Sequence, residues 1–283
     1  MFTEKLLGAP LSLNCAFGPA HGPPILLLHG ITRRWQDFVT LLPVLSVRWQ
    51  VNALDLRGHG KSERTPGAYH VIDYVRDVGD FLSVQAGEQI TIYGHSLGAL
   101  VAAATAARWP EKVRAVVLED PPSEAFVRNL HSSPFYAMFS GLRRLAAAGL
   151  SIDETARELA ELRLPGPHGN TLMRLGDLRD PTSLRFTARN LQDLDPTTID
   201  VLLDGDWLAG FDYQAVFAAI RCPTLLLRAD ENFGGMLPRN DAEQMASLVP
   251  SCSLVDFPRT GHLLHWMATE TICRLVMGFL EAV

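Results

Sequence analysis

The sequence predicts an α/β fold built on a mostly parallel sheet, and three features predict it. Short apolar runs alternate with amphipathic stretches along most of the chain, the pattern of strands joined by crossover helices. Several of those runs, such as Ile25-Leu-Leu-Leu28 and Val116-Val-Leu118, are continuously apolar, as strands covered on both faces are. Between one such run and a helical stretch stands Gly94-His-Ser-Leu-Gly98. A serine on that sharp strand-to-helix turn is the setting of a nucleophile elbow.

In chain order, residues 3–17 read as one or two edge strands. Pro23-Pro24 introduces the strand at 25–28, which ends in His29-Gly30-Ile31-Thr32. Residues 35–45 read as a helix and 49–54 as a strand, followed by the polar loop Asp55-Leu-Arg-Gly-His-Gly-Lys-Ser62. Residues 72–86 form an amphipathic helix with Val75, Val78, Phe81 and Leu82 on one side. The strand at 89–93 then feeds the elbow, and a helix of small residues leaves it, ending near Trp109-Pro110. The strand at 113–118 ends in Glu119-Asp-Pro-Pro122.

The texture changes there. From 123 to 219 no buried strand is evident, and helical stretches at 152–162, 183–191 and 197–203 are separated by Pro165-Gly-Pro-His-Gly169 and Asp180-Pro181. This predicts an inserted helical domain over 123–219, on a core made of 1–122 and 220–283. The sheet resumes at 223–228, a helix follows at 240–248 and a strand at 252–257. Thr260-Gly-His-Leu263 and a final helix over 269–282 close the chain.

The totals narrow the function. The chain has 283 residues, 47% of them apolar, and a formal charge of -6. That suffices for a sizeable core and argues against nucleic acid as a partner. No apolar run is long enough to span a bilayer, and the first residues lack a signal-peptide pattern. Four scattered cysteines, Cys15, Cys222, Cys252 and Cys273, read as reduced thiols of a cytoplasmic protein. Gly58-His-Gly60 lacks phosphate-loop spacing despite the Lys61-Ser62 that follows. With no metal-ligand cluster or nucleotide fingerprint, no cofactor and no metal are expected.

The order His29-Gly-Ile31, Asp55-Leu-Arg-Gly-His-Gly60, Gly94-His-Ser-Leu-Gly98, Gly261-His262 resembles the α/β-hydrolase fold family over nearly the whole chain. The resemblance implies an eight-stranded, mostly parallel sheet, an active site above its carboxyl ends and a helical cap at 123–219. It implies Ser96 as nucleophile and His262 as general base, since a hydroxyl needs a positioned base at neutral pH. It also implies an oxyanion hole from the backbone N–H groups of Leu97 and Ile31. Serine at the elbow, where related epoxide hydrolases and haloalkane dehalogenases carry aspartate, argues against those two chemistries.

The acid has two candidate places. Family members often carry it after the seventh strand as Gly-x-x-Asp, where this chain has Ala229-Asp-Glu-Asn232 with Asn232 at the usual acid position. Dehalogenase-like and lactonase-like branches carry it after the sixth strand, which points to Asp120. Asp120 is preferred, Asp230 is the alternative and Glu119 a distant third. His59 and Asp55 read as loop supports. His95 reads as packing near the site, and His265 as a pocket-lining or capping residue. The pocket is expected to be largely apolar, with Phe126, Tyr136, Phe139 and Trp207 contributing beside His95 and His265. Arg128, His131 and Arg174 could meet an acidic substrate group, but solvated surface is the simpler reading.

These residues predict a serine hydrolase of small-molecule carboxylic esters or lactones, acting as a monomer or homodimer. Carbon–carbon, amide or peroxidase chemistry on the same residues is the alternative. A small-molecule receptor with lost catalysis is the alternative of another class.

Overall fold

The computed structural model describes residues 1–8, 10–84, 89–165 and 172–283. The strands that build the main sheet are β1 (Thr3–Leu7), β2 (Leu13–Phe17), β3 (Pro24–Leu28), β4 (Gln50–Leu54), β5 (Ile90–His95) and β6 (Val113–Glu119). Two short strands follow, β7 (Arg163–Pro165) and β8 (Leu172–Arg174), and the main sheet is completed by β9 (Thr224–Ala229) and β10 (Cys252–Phe257). Its order is β1-β2-β4-β3-β5-β6-β9-β10. From β4 to β10 every neighbouring pair is parallel, and β2 joins antiparallel to both β1 and β4. Only β1 of the first two strands is an edge. None of its residues is fully buried, whereas β2 buries four of five residues between β1 and β4.

Helices lie on both faces. On one are α1 (Leu42–Leu45) and, at the far end of the chain, α13 (Thr269–Ala282). Their Leu42, Leu45, Ile272, Val276 and Leu280 pack with Ile25, Leu27, Val51 and Tyr93 of the sheet. The expected helix over 35–45 is two pieces, a 3-10 turn at Trp35–Thr40 and then α1. Pro43 lacks the N–H that a continuous helix needs there. On the other face are α2 (Val71–Val84) and α3 (Leu97–Arg108). Ten of the twelve α3 residues are Ala, Gly, Val or Leu, and the helix is buried from Leu97 to Ala106, so small side chains let it sit close to the strands.

The segment between β6 and β9 adds α4 (Glu124–Arg128), α5 (Pro134–Ala147), α6 (Ile152–Glu161), α7 (Leu175–Leu178), α8 (Pro181–Gln192), α9 (Thr197–Leu203) and α10 (Tyr213–Ala219). Its Val127, Phe139, Leu142, Leu159, Leu191 and Trp207 join the same apolar cluster as α2 and α3. Sequence patterning anticipates α6, α8 and α9 but not α5 or the antiparallel pair β7–β8. Three-residue strands are too short to display a period of two. The expected break at Pro165-Gly-Pro-His-Gly169 lies, beyond Pro165, outside the described residues. Beyond β9 come α11 (Arg239–Leu248) and, just before α13, α12 (Leu264–Met267). No described helix is long and apolar enough to cross a membrane, and all four cysteines are free.

This topology collects the loops that follow β3, β5, β6, β9 and β10 at one end of the sheet. In open α/β sheets that is where ligands bind.

Candidate active site

Ser96 joins β5 directly to α3 at φ 55° and ψ -117°. A non-glycine residue pays for that conformation, so the surrounding structure must hold it there. The two flanking glycines show why the turn is possible. A Cβ on Gly94 would lie 2.1 Å from the Gly98 carbonyl oxygen, and one on Gly98 would lie 2.0 Å from the Leu28 carbonyl oxygen. Any side chain at either position would push α3 off β3 and β5. The Ser96 N–H donates to the Glu119 carbonyl at 2.9 Å, tying the elbow to β6. Its hydroxyl makes no hydrogen bond among the described residues, and the residue is 3% exposed.

The turn after β3 packs against this serine. A Cβ on Gly30 would sit 3.1 Å from Ser96 Cβ and 2.9 Å from His95 Nδ1. Thr32 adopts φ 67° and Arg33 N–H closes the turn on the Gly30 carbonyl at 3.1 Å. Two buried imidazoles brace it. His29 Nδ1–H donates to the Gly30 carbonyl at 2.8 Å and its Nε2 accepts from Leu56 N–H at 3.0 Å. His59 Nδ1–H donates to the Arg57 carbonyl at 2.8 Å and its Nε2 accepts from Thr32 N–H at 3.2 Å. Burial pushes His29 down to about 4 and His59 down to about 3, so both stay neutral and keep these roles at neutral pH. Asp55 accepts from Trp35 N–H at 2.7 Å, Lys61 N–H at 3.1 Å and Asn14 Nδ2–H at 2.8 Å. Both His59 and Asp55 are therefore the loop supports the sequence suggests. Among the described residues the N–H groups of Ile31 and Leu97 have no acceptor, although both residues are buried. Two buried donors left open beside one serine are a ready receptor for an anionic oxygen.

His262 lies on the loop between β10 and α12. Its Nδ1–H donates to Asp120 Oδ2 at 2.6 Å. Asp120 is completely buried at φ 41°, a conformation Asp and Asn tolerate better than most residues. Its Oδ1 accepts from Ala229 N–H at 3.1 Å and its Oδ2 from Met236 N–H at 2.9 Å. Both oxygens are thus fixed before they meet the imidazole. Asp230 is placed elsewhere. It accepts from Asn232 N–H at 3.0 Å and Arg259 N–H at 2.9 Å, and shapes the loop that leads to His262. The structure brings His262 to Asp120 and leaves the sequence alternative, Asp230, as a turn-forming group.

Behind this pair lies a second cluster of ionisable groups that sequence reading underrated. Glu119 accepts from the Tyr93 hydroxyl, from His265 N–H at 3.0 Å and from His265 Nδ1–H at 2.7 Å. His265 Nε2–H donates to Asp37 Oδ2 at 3.2 Å, and Trp266 Nε1–H to Asp37 Oδ1 at 3.2 Å. His95 Nε2–H donates to the His262 carbonyl at 3.0 Å, which locks the backbone of the loop after β10 to the elbow. Burial opposes charge on His265, but Glu119 and Asp37 outweigh it and push His265 up to about 9. Burial likewise opposes ionisation of Glu119, yet His265 leads the groups that hold it down at about 2. His95, burial-depressed to about 3, is neutral, and its Nδ1 has no partner. Ligand atoms of His95, Glu119 and His265 lie within 4.8 Å of one another, a metal-like grouping. The donor set does not fit one: both His265 nitrogens are protonated and bonded to carboxylates, and both Glu119 oxygens already accept hydrogen bonds, leaving His95 Nδ1 as the one unpartnered nitrogen of the three residues. The sequence signal was the pair Glu119-Asp120 at a strand end, matched three residues apart by His262 and His265.

This cluster makes stability pH-dependent with a definite sign. The His265 contribution is complete below its ordinary 6.5 and is lost as pH rises through about 9. That of Glu119 is complete above its ordinary 4.5 and is lost as pH falls toward about 2. At pH 6, His265→Leu should cost about 3–5 kcal/mol, because it strands two buried carboxylates. Denaturant titration should show wild type losing that advantage between pH 6.5 and 9.5. An advantage that stayed constant to pH 9.5 would mean His265 carries no charge here.

The residues expected to line the pocket differ in burial. His265 is 0% exposed and held in the ionic cluster, and His95 is 1% exposed beneath the elbow. Trp207 at 1% and Phe139 at 4% belong to the apolar core. A large apolar side chain gains most by full burial, and Trp207 and Phe139 take it. Phe126 and Tyr136 remain partly exposed, Phe126 edge-on to Phe135 at 5.1 Å and Tyr136 tilted against His131 at 4.8 Å between centroids. Arg128 pairs with Glu124 and Arg174 with Glu161 at the surface, as the surface reading anticipates.

Comparison with known proteins agrees with this fold. The α/β hydrolase fold family model matches residues 23–269. Over 106 residues the chain is 40% identical to a serine hydrolase-like protein of Danio rerio, a stretch that is 37% of this chain and 32% of that one. Over 99 residues it is 38% identical to 2-(acetamidomethylene)succinate hydrolase of Mesorhizobium japonicum, 35% of this chain and 36% of that one. The match thus spans about a third of the length of either relative. Among solved structures, E-2-(acetamidomethylene)succinate hydrolase superposes with a TM-score of 0.78 at 21% identity, covering 99% of this chain and 100% of that one. The enol-lactonase of Burkholderia xenovorans LB400 superposes with 0.75 at 17% identity, covering 99% and 100%.

Proposed function

The chain belongs to the α/β-hydrolase fold family, and from that premise we propose that it is a serine hydrolase of small-molecule carboxylic esters or lactones. One observation carries the reading: the strained Ser96 stands beside two open, buried N–H groups and on the same end of the sheet as the His262–Asp120 pair. In this reading Ser96 Oγ attacks the acyl carbon while His262 Nε2 takes its proton. Asp120 holds the imidazole by its Nδ1–H and stabilises the imidazolium. The N–H groups of Ile31 and Leu97 receive the developing oxyanion, each being worth about 3–4 kcal/mol in the transition state. His262 then returns the proton to the departing alcohol. It next activates a water that attacks the acyl-enzyme and frees the acid and Ser96. Residues 123–219 act as a cap that selects substrate. The neighbour named an enol-lactonase supports lactones within this scope. The relative named 2-(acetamidomethylene)succinate hydrolase keeps amide substrates as a second reading of the same three side chains.

The test is turnover of p-nitrophenyl esters from acetate to octanoate, with small lactones followed by acid release. Measurable turnover of some ester or lactone is expected. A folded protein that turns over none of them would remove this reading.

A further inference from the structure

Each of the three side chains assigned to the chemistry has a near neighbour in the buried cluster behind it. His95 precedes Ser96, Glu119 precedes Asp120, and His265 follows His262 by three residues. These neighbours are bonded across the trio. The Glu119 carbonyl accepts from Ser96 N–H at 2.9 Å. Its carboxylate accepts from His265 N–H at 3.0 Å, and His265 Nδ1 lies 2.7 and 2.9 Å from its two oxygens. The His95 ring donates to the His262 carbonyl, and its centroid lies 4.6 Å from that of His262 and 5.0 Å from that of His265.

The loop that carries His262 needs such a brace. The bond from Nδ1–H to Asp120 fixes one ring atom and leaves the ring free to pivot about it. The backbone on either side decides where the ring starts from. Before His262, Arg259 N–H donates to Asp230 at 2.9 Å and the Thr260 carbonyl accepts from Asp230 N–H at 2.8 Å. After it, His265 is the first of the described residues whose hydrogen bonds reach the sheet. Its carbonyl is held as well, by the Thr40 and Thr269 hydroxyls at 2.9 and 2.7 Å. Stability alone is a weak reason for a buried ion pair, because well-packed apolar residues of like volume often serve as well. We propose that His265 is a positioning residue: through its Nδ1–H bond to Glu119 it sets the His262 loop against the elbow, so that His262 Nε2 meets Ser96 Oγ. The proposal rests on the hydrolase reading and adds to it a residue that touches no substrate.

The groups facing His265 are Glu119 from β6, Asp37 from the turn at 35–40, and His95 from β5. The Tyr93 hydroxyl lies on Glu119, with the Cys273 thiol of α13 near it, and Asp37 feels Arg33 at 3.7 Å and Arg179 before α8. The two carboxylates prevail and keep His265 protonated up to about 9. Above that it has a single N–H for two carboxylates, and one of its bonds is lost.

His265→Asn and His265→Gln separate those bonds. Asn carries its amide nitrogen where Nδ1 is and can still donate to Glu119. Gln carries its own where Nε2 is and can serve only Asp37. Ester turnover is measured where circular dichroism shows each variant folded, with active protein counted by reaction with diisopropyl fluorophosphate. In His265→Gln kcat should fall about tenfold to a hundredfold with KM within about twofold, the effect of displacing reacting groups by about 1 Å. His265→Asn should recover most of that loss. Wild-type kcat should also decline as pH rises through about 9, and neither variant should show that decline. If folded His265→Gln keeps kcat within about twofold of wild type, the cluster serves stability alone and the hydrolase reading stands. Should His265→Gln not fold, the wild-type profile decides, and a kcat that stays flat from pH 7 to 10 overturns the proposal. If wild type neither turns over an ester nor takes the label, the hydrolase reading falls. The positioning role is then read from the proton resonance of His262 Nδ1–H, which its short bond to Asp120 moves downfield. Loss of that signal in His265→Gln and its return in His265→Asn would support the role, and a signal unchanged in both would overturn it.

Discussion

Ester turnover in Ser96→Ala should fall by roughly 10⁵- to 10⁶-fold, to the residue left by the remaining donors and binding alone. The expectation is strong because the change removes so little else. The Ser96 hydroxyl has no hydrogen bond to lose, and the residue is 3% exposed, so a methyl group fits the same space. The backbone strain at φ 55° is unchanged, since Ala pays for that region much as Ser does. Stability should therefore stay within about 0.5 kcal/mol of wild type, as for changes that touch no cavity, network or cap. A variant that unfolded instead would point to a structural serine.

The next largest effect is expected from the acid. Asp120→Asn should lower kcat by about 10³- to 10⁴-fold, because an amide cannot stabilise the imidazolium and invites the wrong imidazole tautomer. Asn suits φ 41°, so the backbone is kept. Some stability is lost as well, because one side-chain oxygen must now serve donors that two serve in wild type, namely Ala229 N–H, Met236 N–H and His262. Asp230→Asn is the control. Asp230 touches loop N–H groups and Asn232, so its loss should change kcat by no more than about threefold while lowering the melting temperature slightly. Comparable kcat losses in both variants would contradict the assignment of Asp120.

How legible this was in the sequence follows from the range of each interaction. β3, β5, β6 and β9 announce themselves because strands covered on both faces must be apolar throughout. Ser96 is legible because the elbow needs glycine at fixed offsets for close approach of backbone to backbone. His262 and the pair of candidate acids could be named from their place after strands. The choice between Asp120 and Asp230 could only be leaned upon, because it depends on where β6 and β9 deliver two carboxylates 110 residues apart. The 123–219 segment was the least legible. Its aromatic residues look alike in sequence whether they fill the core, as Trp207 and Phe139 do, or stay partly exposed, as Phe126 and Tyr136 do. The pairing of Asp37, Glu119 and His265 with one another was not legible for a related reason. Their mutual bonding joins a turn after β3, the end of β6 and the start of α12, and no local pattern marks a buried ion cluster assembled across such separations.

The most direct test of the account is the mass of the protein after reaction with diisopropyl fluorophosphate. Attack by an activated serine expels fluoride and leaves one diisopropylphosphoryl group. Wild type should gain a single adduct that maps to Ser96, in step with loss of ester turnover, while Ser96→Ala and Asp120→Asn gain none on the same timescale. An active enzyme whose label maps to another residue, or that is never labelled, would contradict the assignment of Ser96 as the nucleophile.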